Sequence, residues 1–259
     1  MRAAVLGRPI AHSLSPRLHR AAYAALGLDW TYEALDCGEA DLPGLLDSLG
    51  PEWAGLSLTM PLKQVVLPLL DEVSDLARDV AAANTVVLRD GRRYGHNTDV
   101  AGIVEALREA GVGSVSRAVV LGGGATARSA LAALASLGCS DPVLVVRSPP
   151  DETLAAAARL GVRPTVVAWS PEVLAGRDLL VSTLPSGAAD RFAPHVADVP
   201  ALLDVVYDPW PTPLAAACGG VVVSGAAMLL HQAAAQVELM TGRKPPVEAM
   251  RAALPALKP

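Results

Sequence analysis

The chain has little cysteine, few aromatics, no surplus of positive charge and no long apolar run, and each shortage excludes something. Its three cysteines, Cys37, Cys139 and Cys218, are far apart and form neither a CxxC pair nor a cluster with histidine. A disulfide framework and a structural zinc site are therefore not expected, and free thiols in a reducing compartment are. Aromatic residues make up only 3% of the 259 positions, so the core must be packed from aliphatic side chains. Lysine and arginine total 21 against 26 acidic residues, a net charge of -5. The acids are dispersed, leaving no basic face for phosphates, and nucleic acid is not an expected partner. No stretch reaches the roughly 18 uninterrupted apolar residues of a membrane-spanning helix. The opening segment MRAAVLGRPIAHS also lacks the apolar core of a signal peptide. The expectation is a cytoplasmic protein without a membrane partner, as monomer or homodimer.

What the chain has is apolar content, 52% hydrophobic against 18% charged, arranged in short runs between turn residues. Ala3 to Leu6 reads as a strand. Ser15 is expected to cap a helix with Pro16 at its first position, and Gly27 closes it. Thr31 to Leu35 and Gly55 to Thr59 read as further strands. Asn84 to Leu88 and Arg92 to His96 read as a hairpin turning at Asp90-Gly91. Beyond Val115 strands and helices alternate regularly: Arg117 to Leu121, Val143 to Val146, Thr165 to Val167, Asp178 to Ser182, Leu202 to Val206 and Val221 to Val223. That is the rhythm of a parallel sheet covered on both faces. Helical patterns over Ala226 to Thr241 and Val247 to Leu257 finish the chain. The fold class is α/β in two domains, an α/β unit over residues 1–98 and a Rossmann-type nucleotide unit over 99–225. Spacing leaves open which unit receives the helices of 226–259.

The most informative segment is Gly122-Gly123-Gly124-Ala125-Thr126-Ala127, directly after a strand and opening a helix. Gly122 permits a tight turn, Gly124 lets the backbone approach a pyrophosphate, and Ala127 allows close helix–strand packing. The helix N-terminus then offers its unpaired N–H groups to the phosphates. The next strand ends in Val146-Arg147-Ser148. An acid near this point would hold a ribose 2′-hydroxyl; Arg147 instead suits a 2′-phosphate, which selects NADP over NAD.

Polar clusters in the first unit exceed what a core requires: Ala11-His12-Ser13-Leu14-Ser15-Pro16, Thr59-Met60-Pro61-Leu62-Lys63, Ala83-Asn84-Thr85 and Asn97-Thr98-Asp99. Each has an ordinary explanation alone, such as a helix cap or a surface charge. With the glycine turn, Tyr207-Asp208-Pro209, Thr212-Pro213-Leu214 and Gly225 to Gln232, the chain resembles the shikimate dehydrogenase family over nearly its full length. The resemblance implies a substrate domain, with the C-terminal helices returning to it, and an NADP domain across a cleft. It implies that Ser13 and Ser15 bind a substrate carboxylate. Thr59, Asn84, Tyr207 and Gln232 would hold the carboxylate or ring hydroxyls, and Lys63 with Asp99 would form the catalytic pair. Gly122, Gly123, Gly124, Ala125, Thr126, Arg147, Val205 and Gly225 would line the cofactor. The reaction implied is reversible reduction of 3-dehydroshikimate to shikimate with NADPH. An ammonium can stabilise a developing alkoxide and shuttle its proton, while a carboxylate orients both groups; no metal is called for.

The chain also departs from the family pattern. Ser57-Leu58-Thr59 stands where Asn-Val-Thr is usual. His96 replaces an Asp, Val100 a Gly, and Ser148-Pro149-Pro150 occupies a place where a second basic residue is common. His96 reads as a solvated hairpin residue, His12 and His231 as structural, and Trp210 as a stiffener of the crossover between domains. Competing functions are a dehydrogenase for quinate or a related polyol acid, a folate-type dehydrogenase, and a non-catalytic NADP-binding sensor.

Overall fold

A computed structural model describes residues 1–148 and 151–255. Pro149 and Pro150, and the end of the helix expected to reach Leu257, lie outside these. The described residues form two compact units, 1–98 with 230–255, and 99–229.

The first unit contains β1 (Arg2–Gly7), α1 (Ser15–Ala25), β2 (Thr31–Asp36), α2 (Leu42–Asp47), β3 (Trp53–Leu58) and α3 (Leu62–Val65). After these come β4 (Glu72–Val73), α4 (Asp75–Asp79), β5 (Thr85–Arg89) and β6 (Arg92–His96). The sheet order is β2-β1-β3-β5-β6-β4. Central strand β3 is buried along its whole length, whereas edge strand β2 buries only Tyr32 and leaves its other positions exposed or partly so. Leu6, Leu56, Leu58, Leu62 and Val86 sit in the core beneath. The hairpin turns at Asp90 and Gly91, both with positive φ, as a tight two-residue turn requires. The last helix, Val247–Ala252, lies against α1, so the C-terminal segment packs on this unit.

Strand direction explains where the polar residues collect. β1 and β3 run parallel, so Leu6 and Leu58 are neighbours at their C-terminal ends. β5 runs against β3 and starts at that same end, with Thr85 beside Ser57. β6 runs against β5 and finishes there, with His96 beside Thr85. Loops 8–14, 59–61, 81–84 and 97–98 therefore leave from one edge.

The second unit comprises α5 (Asp99–Glu109), β7 (Ala118–Leu121), α6 (Ala125–Ser136), β8 (Val143–Val145), α7 (Asp151–Arg159) and β9 (Thr165–Val167). β10 (Leu179–Ser182), β11 (Ala201–Asp204), α8 (Pro213–Ala217) and β12 (Val221–Ser224) complete it, and α9 (Gly225–Thr241) starts within it. All six strands are parallel in the order β12-β11-β10-β7-β8-β9. The chain builds outward from β7 to β9, then returns to lay β10 on β7's other side. This reversal makes a topological switch, where open parallel sheets bind ligands beyond their carboxyl ends.

Several boundaries differ from the sequence reading by a residue or more, and four of them bear on the site. Ser15 is the first helical residue rather than the cap; Leu14 takes the cap position without a side-chain bond. Ser13 supplies the missing acceptor, receiving the Ser15 N–H at 3.3 Å. β11 stops at Asp204 because the carboxylate accepts the Val206 N–H at 3.3 Å and turns the chain out of the sheet. β3 stops before Thr59 and β5 begins after Asn84.

Candidate active site

The polar edge of the first sheet is organised around Asn84, which is buried. Its Oδ1 accepts the Thr98 N–H at 2.8 Å and the Thr85 hydroxyl at 2.9 Å. Its Nδ2 donates to Thr98 Oγ1 at 2.9 Å and to Gln232 Oε1 at 3.2 Å. A backbone N–H can only donate, so the Thr98 amide fixes which way the Asn84 side chain points. Asn97 Nδ2 donates to the Ala82 carbonyl at 2.9 Å, tying the two neighbouring loops together.

The other expected residues of this unit share the edge. Ser13 and Ser15 lie where the loop after β1 enters α1, half-buried and buried respectively. Thr59 directly follows β3, and its N–H donates to the Leu6 carbonyl at 2.9 Å. Lys63 sits in α3, half-buried. Its carbonyl accepts the Ala83 N–H at 2.8 Å, joining α3 to the residue before Asn84. The structure thus brings Ser13, Ser15, Thr59, Lys63, Asn84 and Gln232 to one side of one sheet.

In the second unit, Asp99 is the buried first residue of α5, where the helix dipole favours an anion. The glycine turn occupies the switch between β7 and β10. Gly122 has a φ of +109°, and a Cβ there would stand 2.5 Å from Thr183 Oγ1. The Gly122 N–H donates to the Val145 carbonyl at 3.0 Å, linking the turn to the strand end that carries the exposed Arg147. A Cβ on Gly124 would meet open space within 4 Å. No side chain caps α6, so its first N–H groups, including those of Ala125 and Thr126, are available to an anion. These features fit a dinucleotide pyrophosphate. Val205 and Gly225 also come together: a Cβ on Gly225 would lie 2.0 Å from the Val205 carbonyl oxygen. Burial, and then Asp208, push the Tyr207 phenol above its ordinary pKa and keep it a donor.

Comparison with known proteins decides the family. Residues 5–86 match the model of the shikimate dehydrogenase substrate binding domain, and 225–254 that of the shikimate 5′-dehydrogenase C-terminal domain. A shikimate dehydrogenase (NADP(+)) of Moorella thermoacetica is 37% identical, over 95% of this chain and 90% of that protein. The chain belongs to the shikimate dehydrogenase family. The crystal structure of the Mycobacterium tuberculosis shikimate dehydrogenase is 46% identical with a TM-score of 0.91, covering 97% of this chain and 98% of that one. A Thermus thermophilus enzyme, solved in complex with NADP(H) and shikimate, is 38% identical with a TM-score of 0.86, covering 98% and 100%.

Several residues of this family member escaped the sequence reading. Thr153 in α7 donates to the Gly123 carbonyl at 2.7 Å and holds the glycine turn from behind. Arg128 of α6 is buried, with its guanidinium 3.4 Å from Glu152. Asp204 accepts the Thr212 hydroxyl at 2.7 Å and so pins both ends of the segment bearing Val205 and Tyr207. Gln236 lies one helical turn beyond Gln232 on α9; two glutamines at that spacing on an apolar helix were a readable signal. Ser57 proves buried, its hydroxyl enclosed by Tyr32 and Gln236 rather than presented at the edge. His96 is half-buried at the end of β6, and burial lowers its pKa, so it is not a solvated hairpin residue. Trp210 packs on the core of the second unit.

Proposed function

We propose that the chain is a shikimate dehydrogenase catalysing reversible, NADPH-dependent reduction of 3-dehydroshikimate to shikimate. The observation that carries this is the convergence of Ser13, Ser15, Thr59, Lys63, Asn84 and Gln232 on one sheet edge, in a chain that matches family members over 95–98% of its length. In this reading residues 1–98, with the helices of 226–259, bind the substrate, and 99–225 bind the cofactor. The free thiols of Cys37, Cys139 and Cys218 suit a cytoplasmic enzyme.

Each residue has a physical task. The Ser13 and Ser15 hydroxyls donate to the substrate carboxylate, and Thr59 and Tyr207 add donors. Asn84 Nδ2 and Gln232 Oε1 face each other as donor and acceptor. A ring hydroxyl can replace their direct bond by accepting from one and donating to the other, whereas a hydrogen or a methoxy group cannot. Lys63 holds the proton that the reacting oxygen gains on reduction and receives it back on oxidation, while Asp99 orients the ammonium and the hydroxyl. The turn of Gly122 to Thr126 would hold the pyrophosphate, Arg147 the 2′-phosphate, and Val205 with Gly225 the nicotinamide end. NADPH, when bound, supplies the hydride.

The test is NADPH formation with shikimate and with quinate, each with NADP+ and NAD+. Shikimate with NADP+ should give the highest kcat/KM. Faster turnover of quinate would move the assignment to a polyol-acid dehydrogenase. Silence with both substrates at high enzyme concentration would leave a cofactor-binding sensor.

A further inference from the structure

Behind Asn84 runs a line of buried hydrogen bonds that the proposed chemistry does not use. Tyr32 donates its hydroxyl to Ser57 Oγ at 2.6 Å, and Ser57 donates to Gln236 Oε1 at 2.8 Å. Gln236 Nε2 donates to the Asn84 carbonyl at 3.2 Å and to Thr85 Oγ1 at 3.1 Å. Thr85 closes the line by donating to Asn84 Oδ1 at 2.9 Å. Tyr32, Ser57, Thr85, Asn84 and Gln236 are all buried.

The polarity of this line has one solution. The Asn84 carbonyl can only accept, so Gln236 must turn Nε2 towards it and Oε1 towards Ser57. Ser57 must then give its single proton to Gln236 and take one from Tyr32. With Gln236 Nε2 donating to it, Thr85 directs its own proton at Asn84 Oδ1, 2.9 Å away, rather than at Thr98 Oγ1, which lies at 3.5 Å. Every proton points the same way, from the β2 edge to the amide of Asn84. A reversed Asn84 amide would set its NH2 group against the Thr98 N–H and the Thr85 hydroxyl, in a site where an unmatched polar group is costly.

We propose that Tyr32, Ser57 and Gln236 are positioning residues, forming a relay that, through Thr85, holds Asn84 in the orientation its bond from the Thr98 N–H selects and thereby tunes affinity for the substrate's ring hydroxyl. The relay rests on the reading that Asn84 and Gln232 contact substrate. Gln236 acts from the same helix as Gln232, one turn away, so a single element holds Asn84 from behind and faces it from the front. Ser57, which stands where the family usually has Asn, works one layer further in, bonded to Gln236.

Gln236→Met keeps length and removes both amide functions; Tyr32→Phe removes only the first hydroxyl and keeps the ring stacked on His19. The relay predicts a graded result. Gln236→Met should raise the KM for shikimate about tenfold and Tyr32→Phe about threefold, in line with neutral hydrogen bonds lost at decreasing distance from Asn84. kcat and the KM for NADP+ should stay within about twofold, a split that general loosening of the fold would not give. An unchanged shikimate KM in folded Gln236→Met overturns the relay, as does a loss spread equally over kcat and both KM values. Should Gln236→Met fail to fold, Tyr32→Phe decides alone by the same criterion. Asn84→Ala separates the two ideas. If it raises the shikimate KM while Gln236→Met is silent, only the relay falls; if it changes nothing, the substrate role of Asn84 falls first.

Discussion

The edge around Asn84 and the turn around Gly122 prepare for ligands in opposite ways. At the first, buried side chains are bonded to one another and hold fixed donors and acceptors. At the second, the groups proposed to bind are backbone N–H groups at a helix start that no side chain caps, with no side chains at Gly122 and Gly124. A ring with several hydroxyls must be read group by group, which needs chemically distinct side chains. A pyrophosphate presents only negative charge, which a helix start can meet without them. Substitutions that remove side-chain atoms should therefore damage the first region, and those that add atoms the second.

The comparison is stretched furthest by Lys63→Ala. On the proposed role of Lys63 in proton transfer, its loss should lower kcat by between about 10²- and 10⁴-fold, with the shikimate KM little changed. Steady-state kinetics check this, and a near-normal kcat would remove Lys63 from the chemistry.

The side-chain-rich region should also lose stability in acid. His19 is buried, with its Nδ1 3.0 Å from the Ser15 carbonyl and its ring stacked 3.9 Å from Tyr32. Burial brings its pKa down to about 4, from 6.5. Between those values the unfolded chain binds the proton and the folded chain does not. Stability from neutral His19 is therefore complete above pH 6.5 and is lost as pH falls towards 4, by about 3 kcal/mol in all. In urea titrations the difference between wild type and His19→Phe should shift by that order across this window, against the wild type at low pH. A difference that stays constant with pH would mean that His19 does not titrate this way.

Gly122→Ala sharpens the contrast from the other side. The φ of +109° disfavours any Cβ, and the atom would meet Thr183 Oγ1 at 2.5 Å. Strain of about 1–3 kcal/mol should displace the turn and raise the KM for NADP+ about tenfold or more, leaving the shikimate KM unchanged. Equal damage to both KM values would break the separation between the regions.

The two regions also differ in how far they could be read from sequence. The geometry of the glycine turn was legible because it is contiguous: the tight turn at Gly122 and the start of α6 fall within six residues after an apolar run. The hairpin was legible for the same reason, since Asp90-Gly91 specifies its turn locally. The Asn84 edge depends on pairs such as Asn84 with Gln232 and Ser57 with Gln236, 148 and 179 positions apart. No local pattern encodes such a bond: Asn84 stood out only as part of a polar cluster, the family resemblance supplied expected roles for Asn84 and Gln232, and neither pointed to Tyr32 or Gln236. The end of β11 at Asp204 was missed because the next residues, Val205 and Val206, suit a strand. A side-chain bond to the Val206 N–H overrides that preference.

The smallest expected effect falls at Arg147, and it tests the one place where the second region does rely on a side chain. Arg147 is exposed at the end of β8, beside the glycine turn through the bond from Gly122 N–H to the Val145 carbonyl. A guanidinium there can pair with a 2′-phosphate, but water screens an exposed pair and limits what it contributes. Arg147→Ala should therefore raise the KM for NADP+ only about fivefold, near 1 kcal/mol, without changing the KM for NAD+. Preference for NADP+ would narrow by that same factor, since NAD+ carries no group for Arg147 to lose. Should both KM values rise together, Arg147 would be shaping the loop rather than reading the phosphate, and cofactor choice would have to reside in the backbone of the turn itself.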